Sequence, residues 1–282
     1  LALPVTDLDA AVSLIRGLGM EAIPGSARFE VRDPYVRIPY DLAGSIALLR
    51  DGGPDEAETV MARHPSVRTV YLTRGIEGGF RTPDLVLLSG PDDPVTIVRE
   101  DGFEIEVDVR NTYFSPRLAH ERGRVVSLAR PGETVVDMFC GVGPFSLHLA
   151  RRGCRVHAVD LNPIAVDLAR RNAARNGLSD RIEVHHGDAR EVVPRLAAGG
   201  LRADRIVMNH PTAALGFLDS ALAAIARGTI HLYLMVERDG LDAAIGRVRG
   251  RLAGRNAGIR PHQVRSVSPA GDQWCLDIDV RM

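Results

Sequence analysis

Acidic side chains accompany three successive apolar runs in the second half of the chain. Asp137 lies in "ETVVDMF", Asp160 ends "RVHAVD", and Asp188 follows "IEVHHG". Between the first two, "DMFCGVGPFS" places Gly141 and Gly143 where a strand turns into a helix. Glycine lets the backbone approach a ligand, and a helix N-terminus offers free N–H groups. A carboxylate that ends the next strand can accept hydrogen bonds from ribose hydroxyls. This pattern predicts a nucleotide-type ligand.

The glycines and Asp160 fit NAD or S-adenosylmethionine equally well, and other positions separate the two cofactors. The dinucleotide fingerprint has a third glycine where this chain has Ser146. Asp188 stands where methyltransferases hold the adenine amino group, and Asp137 where they commonly hold the amino-acid end. We therefore predict S-adenosylmethionine. The expected cofactor-binding residues are Asp137, Phe139, Gly141, Gly143, Asp160, Leu161, Asp188, Ala189 and Asn209.

Asn209, His210 and Pro211 follow the apolar run "RIVM" directly. Asn and Pro suit a turn that leaves a sheet. An amide at the carboxyl end of a buried strand can also read the edge of a nucleobase. The residues alone leave both interpretations open.

The adjacent histidines His185 and His186 do not predict a metal site. Neighbouring residues on a strand point to opposite faces, so one ion cannot easily bind both. The three cysteines, Cys140, Cys154 and Cys275, have no metal-ligand spacing. We expect no metal, and reduced thiols in a cytoplasmic protein.

Short strands alternate with helices from residue 133 onward, and they must position these side chains. Strands are predicted at 133–139, 155–161, 182–188, 205–209 and 229–236, with helices between them that include 212–228. "HQVRSVSP" and "QWCLDIDVR", joined by a Gly-Asp turn, predict a hairpin. The fold class is therefore α/β, a Rossmann-like class I methyltransferase domain with a C-terminal β-hairpin.

Residues 1–110 have a different pattern, with short strands separated by Gly, Pro and Asp clusters. One helix is expected at 7–19 and another around "PDEAETVMARH". We predict a smaller α+β domain over 1–110, before a methyltransferase domain over 111–282.

The composition is that of a globular protein, with 282 residues, 45% of them hydrophobic, and a net charge of -1. No apolar run approaches the roughly 18 residues that a membrane span needs, so no membrane association is expected. The sequence contains no lysine, so any phosphate contact other than one by histidine must come from arginine.

The boundary segment "TYFSPRLAHER", together with "GGFRTPD", "DMFCGVGPFS", "AVDLNPIAV", "GDARE" and "DRIVMNHP", resembles a known family. This is the archaeal and eukaryotic-type tRNA (guanine-37, N1)-methyltransferases, with the related wybutosine-pathway aminocarboxypropyltransferases. The resemblance implies methylation of N1 of guanosine 37 with S-adenosylmethionine, and tRNA as the partner.

The resemblance also implies roles for individual residues. Glu121 matches the general base that removes the N1 proton, and Arg81 the cation that stabilises charge on O6. Asn209 matches the reader of the base edge, and Tyr113 an aromatic neighbour of the base or cofactor. Pro211 completes the tripeptide, in which His210 replaces the usual Leu. Deprotonation of a weak N–H acid does call for a carboxylate and a nearby cation.

Arginines are the candidate contacts for the tRNA backbone. They are Arg117, Arg122 and Arg124 in the boundary segment and Arg247, Arg249, Arg251 and Arg255 in "GRVRGRLAGR". Such a run is usually a solvated helix face, and phosphate contact is the functional alternative. We expect a monomer.

Several other activities remain as alternatives. Transfer of the 3-amino-3-carboxypropyl group of the same cofactor to a modified guanosine 37 is the main one, although those relatives typically lack the Asn-x-Pro found at 209–211. Amino-methylating enzymes carry Asn/Asp-Pro-Pro and an aromatic here, which His210 and Thr212 do not match. An inactive RNA-binding module would not need Glu121, and a nicotinamide oxidoreductase is disfavoured by Ser146 and Asp188.

Overall fold

Two small sheets precede the main sheet along the chain. The computed structural model describes residues 38–77, 82–252, 254–268 and 271–281. The first part contains β1 (Tyr40–Ala43), β2 (Ile46–Leu49), α1 (Pro54–Arg63), β3 (Thr69–Glu77), β4 (Thr82–Ser89), β5 (Val95–Glu100) and β6 (Phe103–Asp108). Strands β1 to β4 form one sheet in chain order, and β5 pairs with β6 as a separate hairpin.

The second part begins with a 3₁₀ turn at Pro116–Leu118 and continues as strand-helix units. Its elements are α2 (Ala119–Leu128), β7 (Thr134–Asp137), α3 (Pro144–Arg151), β8 (Arg155–Asp160), α4 (Pro163–Arg175), β9 (Ile182–His186), α5 (Ala189–Ala198), β10 (Arg205–Met208), a 3₁₀ turn (Ala214–Phe217), α6 (Leu218–Ala224), β11 (Gly228–Glu237), α7 (Leu241–Arg251), β12 (Asn256–Ser268) and β13 (Gly271–Arg281).

The main sheet has the strand order β12-β13-β11-β10-β7-β8-β9. Strands β7 to β11 run parallel to one another, whereas β13 pairs antiparallel with both β11 and β12. This confirms the Rossmann-like sheet with an antiparallel hairpin at one edge. The strand order reverses between β7 and β10, and ligands of open α/β sheets bind at the carboxyl ends beside such a reversal.

Two sequence predictions need correction. The helix predicted over 212–228 is a 3₁₀ turn followed by α6, which has only 7 residues. The amides of Ala213 and Ala214 both bond to the carbonyl of His210, which fixes a turn there. The Gly-Asp pair at 271–272 lies inside β13 rather than in the hairpin turn. Strand β1 was not predicted, and the expected helix 7–19 lies outside the described residues.

Buried apolar residues form a cluster on each side of the main sheet. One cluster joins residues of the small sheets, such as Ile46, Tyr71 and Ile105, to residues of the second part of the chain, such as Val125 and Leu147. The other cluster lies along β7, β10, β11 and the helices on the opposite face. Residues 39–282 accordingly cluster as one compact unit. The division into domains at residue 110 stays a prediction.

Asn172 on α4 and Asn176, the C-cap of that helix, bind the outer edge of β6. Asn172 accepts from the Glu106 amide at 2.7 Å and donates to its carbonyl at 3.0 Å. Asn176 does the same for Glu104, at 3.1 and 2.9 Å. Four residues of helix and two of strand both advance about 6 Å, so the amides match the ladder spacing. A second Asn172 amide hydrogen reaches the carbonyl of Val142, which links this edge to the glycine turn.

Within the described ranges, none of the helices is both long enough and apolar enough to cross a membrane.

Candidate active site

A cavity of about 380 Å³ lies at the carboxyl ends of the central strands. This volume falls within the range of small-molecule sites. Eight of the predicted site residues line it: Tyr113, Phe139, Gly141, Asp160, Leu161, Asp188, Ala189 and Asn209. The structure therefore brings together most of the predicted cofactor set.

The glycine turn forms one wall of the cavity and is held by Asp160. The Asp160 carboxylate accepts from the Gly141 amide at 2.7 Å and from the Asn162 amide at 2.9 Å. Gly141 and Gly143 have φ of +54° and +88°, which a residue with a side chain rarely adopts. Burial raises the pKa of Asp160. Gly143 shapes the turn as the N-cap of α3 but does not line the cavity.

Asp188 caps α5 and forms an ion pair with Arg190, and both residues line the cavity. Its side chain accepts from the Arg190 amide at 2.8 Å and from the Arg190 guanidinium at 2.5 Å. The hydrogen bond from that guanidinium holds the pKa of Asp188 below its usual value. The same guanidinium lies over the Phe217 ring, 5.0 Å from its centroid. Arg190 and Phe217 were not predicted, although Arg190 stands only two positions after the acid.

Asn209 presents a buried acceptor without a partner. Its Oδ1 atom is one of two buried side-chain oxygen or nitrogen atoms in the described part of the chain that have no hydrogen-bond partner, and Asn209 lines the cavity. Burying a polar atom without a hydrogen bond is costly, so a ligand donor is expected there. Asn209 can therefore lie in a turn and also contact the edge of a nucleobase.

His210 contributes to an aromatic wall. Its ring meets the Phe139 ring edge-on at 5.2 Å, and Phe139 meets Phe217 in the same way at 4.9 Å. All three residues line the cavity. Replacement of the family's usual Leu by His therefore still provides a packing side chain. Pro211 is buried beside this wall, and its carbonyl accepts from the Met235 amide.

Asp137 lies behind the cavity wall rather than on it. Its side chain is 1% exposed, and Oδ2 accepts from the Ser146 hydroxyl at 2.8 Å. Oδ1 is the other buried atom without a partner. Burial raises the pKa of Asp137 from 3.8 to about 7. Ser146, which replaces the third glycine of the dinucleotide fingerprint, thus supplies the hydrogen bond to this carboxyl group.

Glu121 is buried in the first turn of α2, beside the cavity but not lining it. Its carboxylate accepts from the Tyr233 hydroxyl at 2.7 Å and from two nitrogens of Arg124 at 2.8 Å each. The half-exposed His262 lies 3.6 Å from Oε2. The Tyr233 ring is 6.1 Å from that of Phe145, which lines the cavity. Tyr233, which donates to Glu121, therefore lies close to a residue of the cavity wall.

A buried chain of charges continues from Arg124. Arg124 also donates to Asp277 at 2.7 Å, and Asp277 accepts from His231 at 2.6 Å. Burial alone would raise the pKa of Asp277, but the hydrogen bonds from His231 and Arg124 hold it far below its usual value. The other nitrogen of His231 lies 2.7 Å from Arg205. An arginine can only donate, so that nitrogen accepts, and His231 is neutral with its proton on Nδ1. Burial lowers the pKa of His231 in agreement.

The chain of charges ends at Glu133, which Arg205 binds at 2.8 and 3.1 Å. We call the set Tyr233, Glu121, Arg124, Asp277, His231, Arg205 and Glu133 the relay network. Its charged members alternate in sign. Of this set, sequence reasoning identified Glu121 as the base and Arg124 as a phosphate contact, and it identified none of the other members.

The predicted phosphate contacts fall into two groups. Arg122 is 1% exposed and binds Glu100 through two hydrogen bonds, and Arg124 belongs to the relay network. The prediction that these two contact phosphate is wrong, because their charges are buried and paired. Arg117 is partly exposed and binds Asp41 of β1. Arg247 and Arg249 are exposed on α7, away from the cavity wall. Arg81 lies outside the described residues.

The sheet order and the cavity at its carboxyl edge define a Rossmann-like fold of the class I methyltransferase type. The family model described as "TRM5/TYW2 methyltransferase domain" matches residues 96–253. The chain belongs to this family, which confirms the family that the sequence motifs predicted.

Curated relatives and solved structures agree with this assignment. The tRNA (guanine(37)-N(1))-methyltransferase Trm5b of Pyrococcus abyssi is 38% identical over 207 residues, which cover 71% of this chain and 60% of the relative. Its counterpart in Methanocaldococcus jannaschii is 31% identical over 234 residues, covering 80% of this chain and 66% of the relative. The chain thus spans about 60 to 66% of the length of these relatives.

Among solved structures, the crystal structure of Pyrococcus abyssi Trm5b superimposes with a TM-score of 0.78 and 28% identity, covering 99% of this chain and 98% of that one. A complex of aTrm5 with tRNALeu gives a TM-score of 0.76 and 29% identity, covering 86% and 72%. Methanocaldococcus jannaschii Trm5 in complex with adenosine gives 0.72 and 27%, with the same coverage.

Proposed function

We propose that this protein methylates N1 of guanosine 37 in tRNA with S-adenosylmethionine. The observation that carries the proposal is the position of Glu121. Leu118, the N-cap of α2, and Arg122, in its first turn, both line the cavity, and Glu121 stands between them in the sequence. A proton acceptor is thus held within one helical turn of the cavity wall.

The residues present fit S-adenosylmethionine. The unpartnered Oδ1 of Asn209 fits a ligand with a hydrogen-bond donor. The cavity of about 380 Å³ fits a small molecule. Asp160 would hold the ribose hydroxyls, and Asp188 with Ala189 the adenine. The bound cofactor supplies an electrophilic methyl group. The structure of the Methanocaldococcus jannaschii relative in complex with adenosine supports a ligand that contains adenosine.

Glu121 would take the N1 proton of guanine. An ionised carboxylate offers about four acceptor positions, and Arg124 and Tyr233 occupy three on Glu121. One position remains for the N1–H donor. Arg124 and Tyr233 fix the direction of the carboxylate, so little reorganisation is needed when the base arrives.

Asn209 and Tyr113 would contact the target base, since both line the cavity. An aromatic side chain stabilises a base that has left its stack. Arg81 would be the cation near O6, as its place in the motif "GGFRTPD" implies. Pro211 would hold the direction of the Asn209 side chain through its rigid backbone.

The tRNA backbone would contact Arg247 and Arg249 on α7, and Arg117 beside β1. Exposed arginines can bind phosphate oxygens in bidentate fashion. The complex of a relative with tRNALeu supports tRNA as the partner. We further propose that residues 1–110 form a support for the tRNA and for the active site.

Identification of the modified nucleoside tests the proposal. The protein is incubated with labelled S-adenosylmethionine and a tRNA transcript that has G37, and the nucleosides are then separated by mass spectrometry. The expected product is 1-methylguanosine at position 37, with no product from a transcript carrying A37. A 3-amino-3-carboxypropyl adduct, or equal labelling of both transcripts, would overturn the assignment.

A matched pair of variants tests the base. Glu121→Gln should reduce the methylation rate by about 10²–10⁴-fold, the usual contribution of a general base. Cofactor binding, measured by calorimetry, should persist and would show that the variant is folded. Glu58→Gln, on the exposed face of α1, should retain full activity. Full activity of Glu121→Gln would remove Glu121 from this role.

A further inference from the structure

Three potential metal ligands converge on the edge of the main sheet, away from the residues that line the cavity. His157 lies on β8, and Glu183 and His185 lie on β9. The strands are parallel and in register, with His157 opposite Glu183. Residues 183 and 185 share a face because strand side chains alternate. The register therefore places all three side chains on one face.

The distances between their ligand atoms form a compact triangle. Nδ1 of His157 lies 3.2 Å from Nε2 of His185. Oε2 of Glu183 lies 3.5 Å from the His157 nitrogen, and Oε1 lies 3.6 Å from the His185 nitrogen. Zinc binds nitrogen and oxygen at about 2.0–2.2 Å in a tetrahedron, whose edges are then about 3.3–3.6 Å. The two nitrogens are separated by nearly such an edge length, each Glu183 oxygen lies about one edge length from one nitrogen, and one ligand atom from each residue lies within 4.8 Å of the other two.

The chemistry of the three groups suits a borderline divalent cation. Two imidazoles and one carboxylate form a common donor set for zinc and similar metals. Burial lowers the pKa of His157 and of His185, which favours the neutral imidazole that binds metals. The Glu183 side chain is 67% exposed, which leaves the fourth position open to water.

Two other groups of possible ligands occur among the described residues, but their atoms already have strong partners. In the group of His231, Cys275 and Asp277, the carboxylate is bound by Arg124 and the imidazole by Arg205. In the group of Glu100, Asp101 and His148, Arg122 holds Glu100 through two hydrogen bonds. In the described ranges, no arginine forms an ion pair with His157, Glu183 or His185.

We propose that His157, Glu183 and His185 form a binding site for a divalent transition metal of the zinc type. The site bridges β8 and β9, which lead to the cavity residues Asp160 and Asp188. It differs from a pair of adjacent histidines, because His186 points away and contacts the Leu161 carbonyl at 3.1 Å.

Metal titration of the untagged, chelator-treated full chain tests the site. Zn²⁺ binding is measured by calorimetry, and Co²⁺ binding by visible absorption, which is strong for a tetrahedral ion and weak for an octahedral one. One equivalent of each metal should bind the unmodified protein, with the tetrahedral Co²⁺ spectrum. Absence of a stoichiometric site, or an octahedral Co²⁺ spectrum, would overturn the proposal.

Variants then locate the metal. His157→Gln and Glu183→Gln should each weaken Zn²⁺ binding at least about tenfold, since even an outer-sphere partner is worth about 10–100-fold. His186→Gln is the matched control on the opposite face and should bind like the unmodified protein. Glu183 is exposed, so its replacement leaves the packing intact. Unchanged affinity in Glu183→Gln, or an equal loss in His186→Gln, would refute the assignment.

Discussion

Replacement of Asp137 by Asn should change how the stability of the protein depends on pH. Burial raises the pKa of Asp137 from 3.8 to about 7 in the folded state. The unfolded chain therefore releases this proton at lower pH than the folded chain does. As pH rises from about 4 to about 7, the folded state loses stability relative to the unfolded state. The reason is that the unfolded chain ionises Asp137 in this range, whereas the folded chain still holds the proton.

The size of the effect follows from the shift in pKa. A shift of about three pKa units at 1.36 kcal/mol each lowers the free energy of unfolding by roughly 4 kcal/mol. This loss develops between pH 4 and pH 7, and below pH 4 there is no loss. Asparagine can still accept from Ser146 and does not ionise. Asp137→Asn should therefore gain up to about 4 kcal/mol relative to the unmodified protein between pH 4 and pH 8.

Urea unfolding at several pH values measures this difference. Other groups titrate in the same range, including Asp277, whose pKa is shifted the opposite way, but they cancel when the variant is compared with the unmodified protein. Asp180→Asn is the control, since its side chain is 75% exposed and should give no slope. A difference between Asp137→Asn and the unmodified protein that stays flat from pH 4 to pH 8, or that falls, would refute the reasoning.

Two further predictions concern the relay network. Arg124→Met should lower the free energy of unfolding by about 3–5 kcal/mol, because it leaves Glu121 and Asp277 buried without a cation. Arg251→Met, which removes an exposed pair with Asp219, should cost about 0–1 kcal/mol in the same urea titration, and equal costs would contradict the argument. Tyr233→Phe removes a buried donor to Glu121 and should cost about 1.5–3 kcal/mol as well as slowing methylation. The same two assays check it, and an unchanged rate would show that the hydroxyl does not position the carboxylate.

Much of the cavity lining could be predicted from the sequence, because each residue is recognised from its own neighbours in the chain. Gly141, Asp160 and Asp188 each occupy a set position relative to a strand end, and parallel strands bring those ends to one edge. His210 was harder to interpret, since its contact with Phe139 depends on how two separate strands end side by side.

The relay network could not be predicted, because its members come from distant parts of the chain. Arg124 and Asp277 are 153 positions apart, and Tyr233 and Glu121 are 112 apart. Arg122 shows why charge alone misleads: a helical arginine is usually solvated, and only the neighbouring Glu100 makes its burial possible. The places of the residues at strand ends were therefore predictable, whereas the partners of Glu121, Arg122 and Arg124 required the fold.

The place of β13 between β11 and β12 has a consequence for biosynthesis. A ribosome delivers Glu121 and Arg124 long before Asp277, which arrives 153 residues after Arg124 on that strand. Until β13 pairs with β11, Arg124 can bind the carboxylate of Glu121 but not that of Asp277. Completion of the sheet and completion of the proposed base are thus a single event, and any fragment that lacks β13 would contain Glu121 without its full set of counter-charges.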